Sequence, residues 1–599
     1  MSGTGVVPIP ILVGIDIGYT CTGVAICSDF NSGNGIPSVI QNWPGSNTIV
    51  NKVPTKLVYA AAEIDIRYWG MECPDLQSLE GATAIIDVFK FFLDRSHVEK
   101  FRRVPPAAFK LENVKMWYAD FLTALHGHIM RHLREQLRVD FDSTSVEFIF
   151  SIPTSWKGDD LLVGRFRELV EKSGFGNNGN VVMEMTEAEA AAVFTAKIHQ
   201  HNFQEGDVFM VLDAGGGTTD MCVLKVKRVQ EDMVELQNLA KPKDLPVGSV
   251  RIDEIFEDRV KDQLQALLGV SPELAQNLAR QVRSGPFQAM KHRFGTQIVD
   301  SLSVLKMEVP NSSHSINLPK NELKEMFDSQ IQQLTRSIDA AIALLKTPHP
   351  NVTLSDLFLA GGLGSSKYVQ AEIMKHCEAL RVRVLFAPDP KDLPLAVCKG
   401  LVIDRFQQFF NNLPVVPIQS NSSSYGILCK EKYDSNKHPG QSSTKNQLNG
   451  KKYAEDQIDW IVRKDENHEK DTPVSRFYSL LFDPSRTAGR LSFSIVTSTE
   501  DPDRLPTFLD GTGSARILCH VTSGEALLYH GDVVQKRGLT GKKPYYRVDF
   551  ELLATIGVGK MKFTLRFLGE NDRPQALKVQ WEESLRFQGR GFSGLIKSI

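Results

Sequence analysis

Apolar positions in the first two-thirds of the chain fall into short unbroken runs and stripes of helical spacing. I11-L-V-G-I-D16 and T22-G-V-A-I-C27 are two runs around a tight turn, which predicts a pair of strands. Between Phe109 and Leu137, the residues Val114, Trp117, Phe121, Leu125 and Ile129 recur on one face and predict a helix. V146-E-F-I-F-S-I152 predicts a strand stopped by Pro153, and Leu161 to Lys172 a helix ended by Gly174. T186-E-A-E189 has the form of a capping box and opens an alanine-rich helix. Asp207 to Asp213 and Met221 to Lys227 repeat the strand–turn–strand pattern. Leu323, Phe327, Ile331, Leu334, Ile338 and Leu345 form one helical stripe. L354-S-D-L-F-L-A360 reads as a buried strand before the turn G361-G-L-G364; Arg381 to Phe386 follows as a strand and Leu395 to Phe410 as a helix.

Near Pro414 the pattern changes to strand-like alternation, as in R490-L-S-F-S-I-V496, A515-R-I-L-C-H-V521, Y546-R-V-D-F-E-L552 and M561-K-F-T-L-R-F567. Glu431 to Lys452 is polar, lacks periodicity and is expected to be a mobile loop. An α/β part to about residue 412 and a β-rich part beyond it are therefore expected, with too little chain after Trp581 for a large helical domain. At 599 residues the chain exceeds one core, and roughly three to five folding units are expected.

The net charge of -2 gives no electrostatic case for nucleic acid or an anionic membrane as main partner. No apolar run reaches the ~20 residues of a membrane span, and no signal peptide is expected at Met1 to Pro10. The eight cysteines form no C-x-x-C pair, and several sit inside strand-like runs. Buried reduced thiols in a cytoplasmic protein fit best, with the nucleus as the other compartment.

Candidate chemistry lies in two turns between strands, G14-I-D-I-G-Y-T-C-T-G23 and L212-D-A-G-G-G-T-T-D220. Glycines let a backbone approach a ligand and aim successive amides inward as an anion nest. Thr20, Thr218 and Thr219 add hydroxyl donors. A carboxylate repels phosphate, so Asp16 and Asp213 make sense if hydrated Mg²⁺ stands between acid and phosphate. The plainer reading is a permissive hairpin turn, but such a turn needs one or two glycines, not three followed by paired threonines and Asp220. Two such turns almost 200 residues apart suggest a duplicated fold facing one cleft. The third turn, A360-G-G-L-G364, is equally open to simple close packing. G538-L-T-G-K-K543 fails as a P-loop, and the first turn lacks the middle glycine of a dinucleotide fingerprint.

In this order and spacing the three turns resemble the actin-like (ribonuclease H-like) ATPase superfamily. G14-I-D-I-G18, S151-I-P-T-S-W156, T186-E-A-E-A-A191, L212-D-A-G-G-G-T218 and F358-L-A-G-G362 resemble the DnaK-type heat shock 70 family. The I-P-T-S-W form, F89-K-F-F-L-D94 and A396-V-C-K-G400 resemble its divergent heat shock 70 kDa protein 12-like branch, common in fungi. The resemblance implies a duplicated ATPase domain, with lobe I at residues 10–200 and lobe II at 201–412. Residues 413–599 would form a β-rich, substrate-binding-like domain. It implies a weak Mg²⁺-dependent ATPase that turns ATP into ADP and phosphate, with polypeptide clients or co-chaperones as partners.

Residue by residue, the resemblance implies hydrated Mg²⁺ on Asp16 and Asp213 and a phosphate lining of Gly18, Tyr19, Thr20, Gly215, Gly216, Gly217, Thr218 and Thr219. Glu187 would stand beside the attacking water, Lys90 would neutralise charge at the γ-phosphate, and Asp220 would be a further cleft carboxylate. Gly248 and Lys291 would contact phosphate or nucleoside, and Gly361 and Gly362 the adenosine. On its own, Lys90 also reads as a solvated lysine, and Glu187 as a first-turn glutamate facing the helix dipole. Departures are Tyr19 where the family has threonine, Gln288 and His292 in Q288-A-M-K-H-R293, and N411-N-L-P-V-V-P-I418 in place of an acidic, leucine-rich linker. A helical lid and acidic tail are not expected. Two alternatives stand beside the ATPase: a nucleotide-dependent interaction protein without turnover, and a small-molecule kinase of the same superfamily.

Overall fold

The computed structural model describes residues 10–28, 37–59, 66–74, 84–87, 89–94, 110–142, 144–177, 179–230, 233–240, 243–310, 312–346, 350–411, 413–416, 423–464, 466, 473–483, 491–523, 534–536, 544–557, 560–567, 574–581, 592–593 and 596–597. The expected helix start at Phe109, the stretch before Pro10 and the final residues 598–599 lie outside them. The chain forms two compact units, residues 1–155 with 168–418, and residues 156–167 with 419–599.

In the first unit, β1 (Ile11–Ile17) and β2 (Cys21–Cys27) are the antiparallel pair that the two apolar runs predict. β3 (Ser38–Val39) and β4 (Val53–Pro54) pair with β2. β5 (Lys56–Tyr59), β6 (Ile66–Trp69) and β7 (Ala84–Asp87) make a small separate sheet. β8 (Val146–Ile152) and β9 (Gly179–Thr186) complete the first large sheet in the order β3-β2-β1-β8-β9. β10 (Val208–Ala214), β11 (Thr219–Gln230), β12 (Met233–Asn238) and β13 (Lys243–Leu245) follow. β14 (Val304–Glu308) and β15 (Ser315–Pro319) form a hairpin, and β16 (Asp356–Ala360) and β17 (Arg383–Leu385) join the second large sheet, β12-β11-β10-β16-β17. In each large sheet a central strand pairs antiparallel with the strand after its glycine turn and parallel with a later one. β1 is buried along its whole length, as expected of a strand covered on both faces, and its sequence is accordingly a continuous apolar run broken by Gly14 and Asp16.

The helices follow the periodic stripes. Helix Leu111–Glu135 buries Val114, Trp117, Phe121, Leu125 and Ile129, and helix Lys320–Lys346 buries its whole predicted stripe. The capping box forms: Glu189 N–H donates to the Thr186 hydroxyl oxygen (3.2 Å), and Thr186 N–H donates to Glu189 (3.0 Å). The helix it opens, Glu187–Ile198, is buried over its first ten residues and packs against helix Ala396–Asn411. Alanines on one side and Gly400 on the other allow that approach, because a Cβ on Gly400 would run into the Ala190 carbonyl oxygen. Gly400→Ala is therefore expected to cost about 1–3 kcal/mol, the usual penalty of overpacking, read as a lower urea midpoint.

The segment before the second unit is docked. Val415 and Val416 are buried, and Leu236 N–H of β12 donates to the Val415 carbonyl (2.7 Å). Val415 N–H donates to Asp404 (2.7 Å), while the Gln407 amide both donates to and accepts from the Val234 backbone.

The second unit is built on strands, among them Ser424–Lys432, Lys452–Val462, Val474–Phe482, Leu491–Ser498, Arg516–Thr522, Tyr545–Gly557 and Lys560–Phe567. Tyr425, Ile427, Tyr478, Ile495, Cys519, Phe550 and Leu552 share its core, and the Tyr478 hydroxyl donates to Asp459 (2.8 Å). The polar stretch 431–452 is more ordered than its sequence suggests. It carries the strand Ser443–Lys445, which pairs with Ala454, Tyr453 and Lys452, and the buried His438. Short backbone-bonded turns, not apolar periodicity, order it, so a periodic pattern could not reveal it. All eight cysteines are free; Cys21 and Cys73 are half-buried and the other six buried.

Candidate functional site

The ends of β1 and β10 and the turns after them line one cavity of about 530 Å³ in the first unit. Asp16, Gly18, Tyr19 and Thr20 come from the first turn, and Asp213, Gly215, Gly216, Gly217, Thr218 and Asp220 from the second. Lys90 and Glu187 reach it from the 3₁₀ turn Lys90–Leu93 and the first residue of helix Glu187–Ile198. Lys291, Gly361 and Gly362 line it too. Of the residues singled out from sequence, Thr219 and Gly248 are not on its wall. The Thr219 hydroxyl donates to the Val247 carbonyl (2.8 Å), and Gly248 lies behind the second turn, where a Cβ would meet the Gly216 and Gly217 backbone.

The glycines divide by what they make room for. Gly14 accommodates the backbone of helix Ala396–Asn411 at Cys398, so it is a packing glycine. A Cβ on Gly216 would lie 2.7 Å from the Thr20 hydroxyl oxygen, and one on Gly217 would lie 2.5 Å from the Tyr19 ring. The two turns thus interlock across the cavity. Gly215 N–H closes its own turn on the Thr218 carbonyl (2.9 Å) and is spent there. The Gly215 and Gly216 carbonyls accept Ser249 and Val250 N–H from the start of helix Ser249–Leu268. Gly361 has φ +83°, and a Cβ there would lie 2.5 Å from an Asp213 carboxylate oxygen, whereas Gly362 has open space.

Charge is concentrated. Asp16, Glu187 and Asp220 are buried, with Asp213 beside them, and the nearby cations are Lys52 and Lys90. Lys90 pairs with Glu187, and the Tyr118 hydroxyl donates to the Lys90 carbonyl. Burial alone would lower the Lys90 pKa, but Glu187 and Asp16 outweigh it and the ammonium is held charged. Burial pushes Glu187 up to about 8 against the pull of Lys90. Burial, then the Asp16 charge, pushes Asp213 up to about 7. Burial also pushes Asp220 up to about 7, although the Thr154 hydroxyl beside it works the other way. Asp220 Oδ1 has no well-formed hydrogen bond among the described residues. Tyr19 is buried, and its phenol pKa is raised by that burial and by Glu254.

On another wall, Lys291 donates to Asp253 (2.6 Å), which also accepts from Gln288 (2.8 Å). Burial lowers the Lys291 pKa more than Asp253 restores it. Phe327 and Ser366 line the same region, and the buried Ser366 hydroxyl lacks a hydrogen-bond partner among the described residues. Sequence reading missed Lys52, Asp253 and Ser366. No local pattern marks them; only strand pairing and helix packing carry Lys52 and Ser366 to the cavity and Asp253 to Lys291 on its wall.

A mixed α/β unit with these turns is compatible with the actin-like ATPase fold. The comparisons with known proteins point the same way. The chain is 21% identical over 560 residues to heat shock 70 kDa protein 12A of Mus musculus, covering 78% of this chain and 79% of that protein. It is 21% identical over 402 residues to human heat shock 70 kDa protein 12B, covering 54% and 56%. It is 20% identical over 433 residues to human heat shock 70 kDa protein 12A, covering 58% and 61%, so it spans less than two-thirds of either human relative. This distant similarity supports a relationship to the nucleotide-binding actin-like ATPases of the heat shock 70 kind. Residues 421–583 match a domain of unknown function, DUF8568. Among the described residues no helix is long and apolar enough to cross a membrane.

Proposed function

We propose that the chain binds ATP with Mg²⁺ in the cavity of the first unit and hydrolyses it slowly, as a member of the heat shock 70 kDa protein 12-like branch. One observation carries this reading: two glycine turns, four acids and Lys90 converge on a single cavity wide enough for a nucleotide. Four carboxyl groups, three of them buried, meet Lys52 and Lys90 there, while Lys291 on another wall is already paired with Asp253, an imbalance that a divalent cation and its hydration shell would relieve. Among the described residues no group of three metal-ligating side chains is placed to hold an ion directly, so Asp16 and Asp213 would meet it through water. Bound Mg²⁺ would supply charge neutralisation on the phosphates.

The chain's own groups would do the rest. Gly18, Thr20, Gly216, Gly217 and Thr218 would line the phosphates, with Gly215 shaping the turn. Lys90 would offset charge developing on the γ-phosphate, and Glu187 would orient a water and hold its proton. Lys291, Gly361, Gly362 and Ser366 would face the nucleoside. Lobes at 10–200 and 201–412, each repeating one strand order, and a β-rich interaction domain at 413–599 complete the proposal. Polypeptide clients are its proposed partners.

The second reading, binding without turnover, is favoured by Tyr19, whose buried ring occupies the space over Gly217 where a phosphate would approach. Phosphate release from radiolabelled ATP separates the two. Slow release lost in Lys90→Ala, with the melting transition kept, supports the ATPase. Glu187 can take up a proton when its partner is gone, so the fold is expected to survive. ATP binding without release supports the second reading, and unchanged release in Lys90→Ala removes Lys90 from the chemistry.

A further inference from the structure

Lys52 is placed at the cavity by more than chance exposure. The backbone after it is tied to the first glycine turn: β4 pairs Pro54 with Cys21 and Val53 with Thr22. Thr55 N–H donates to the Thr20 carbonyl (2.9 Å), and the Thr55 hydroxyl donates to the Gly18 carbonyl (2.9 Å). Before it, Asn51 donates to the Lys391 carbonyl (3.3 Å). The side chain then runs past Gly23, the residue opposite Asp16 in the β1–β2 register. A Cβ on Gly23 would lie 2.9 Å from Lys52 Cε, so the bare strand position leaves the path open. The ammonium ends 2.8 Å from Asp16 and lines the cavity.

We infer that Lys52 is a built-in counter-cation of the cleft: it binds a nucleotide's phosphate oxygens directly and competes with a divalent cation for Asp16. This rests on the nucleotide-binding reading above. An ammonium has three donors, and Asp16 is its one hydrogen-bond partner among the described residues, so donors remain for a phosphate. Lys90 is paired with Glu187 and adds positive charge near Asp16 and Asp213, while Lys52 is the ammonium hydrogen-bonded to Asp16 itself. A fixed positive charge at this spot supplies part of what a metal would, so phosphate binding here depends less on a divalent ion than a cleft of bare acids would require.

The test is titration of a fluorescent ADP analogue into the full chain, with Mg²⁺ and with EDTA, for wild type, Lys52→Met and Lys52→Arg. Melting curves with Mg²⁺ alone accompany it. Chelation is expected to weaken wild type and Lys52→Arg by no more than about tenfold, and Lys52→Met by about 100-fold or more. Mg²⁺ alone is expected to raise the melting temperature of Lys52→Met more than that of wild type, because Asp16 is then free for the ion. Equal Mg²⁺ dependence of ADP binding in wild type and Lys52→Met overturns the inference. If wild type binds no ADP even with Mg²⁺, the nucleotide reading itself falls. The Mg²⁺ melting shifts then still decide the competition at Asp16: a larger shift in Lys52→Met supports it, and equal shifts overturn it.

Discussion

Replacing Asp213 with asparagine is expected to lower phosphate release from ATP by about 100-fold or more while leaving the first unit folded. Asp213 is the penultimate residue of β10, where its backbone is held between β11 and β16, so the substitution alters a side chain without disturbing a ladder. In the proposed site its carboxylate faces hydrated Mg²⁺, and an amide carries no charge to offer. The stability effect runs the other way. Burial and the neighbouring Asp16 disfavour the ionised form, which lifts Asp213 from its ordinary 3.8 to about 7. A neutral amide escapes that repulsion, so metal-free Asp213→Asn is expected to unfold at the same or higher urea concentration than wild type at pH 8. Unchanged phosphate release would remove Asp213 from the site. A loss of release accompanied by a collapsed melting transition would mark it as a structural residue.

The second large effect is on pH. In the absence of nucleotide and divalent cation, stability is expected to fall as pH rises from about 6.5 to about 8, above the range in which His126, His128, His132, His199 and His292, all lowered by burial, act the other way. Asp213 and Asp220 are raised to about 7 and Glu187 to about 8, all by burial first. Groups with folded values above their unfolded ones keep protons that the unfolded chain releases. Their contribution is therefore present below the unfolded values and is lost as pH climbs through the folded ones. Each proton retained changes stability by about 1.4 kcal/mol per pH unit. The three groups share one cleft and titrate together, so at least one proton's slope is expected, not three independent ones. Urea midpoints across this range check it, and Mg²⁺ with nucleotide should flatten the profile by stabilising the ionised acids. Stability that instead rises between about pH 6.5 and 8 would show a cluster already fully ionised and balanced by Lys52 and Lys90.

Much of the scaffold was legible because it rests on local periodicity. The buried stripe of helix Lys320–Lys346 and the Thr186–Glu189 box appear where the pattern places them. Part of the site was legible as well, since glycine runs between strands with flanking acids have few plain structural uses. The roles of single glycines were not. Gly14 and Gly18 share one motif, yet Gly14 makes room for a helix while Gly18 lines the cavity. Gly248 and Thr219 support the second turn from behind, a role indistinguishable from ligand contact in a linear pattern. The docked segment at Val415 was hidden for a similar reason: its partners are Asp404 and the edge of β12.

By itself the sequence determined the strands, the capped helix, the glycine turns and the acids at the strand ends, because backbone preference and side-chain period act over a few residues. Tertiary structure decided which charges meet. Lys52 reaches Asp16 across 36 positions, and Lys90 reaches Glu187 across 97. Those pairings depend on how strands align and on where a missing Cβ leaves a path, and neither is written in the spacing of residues along the chain.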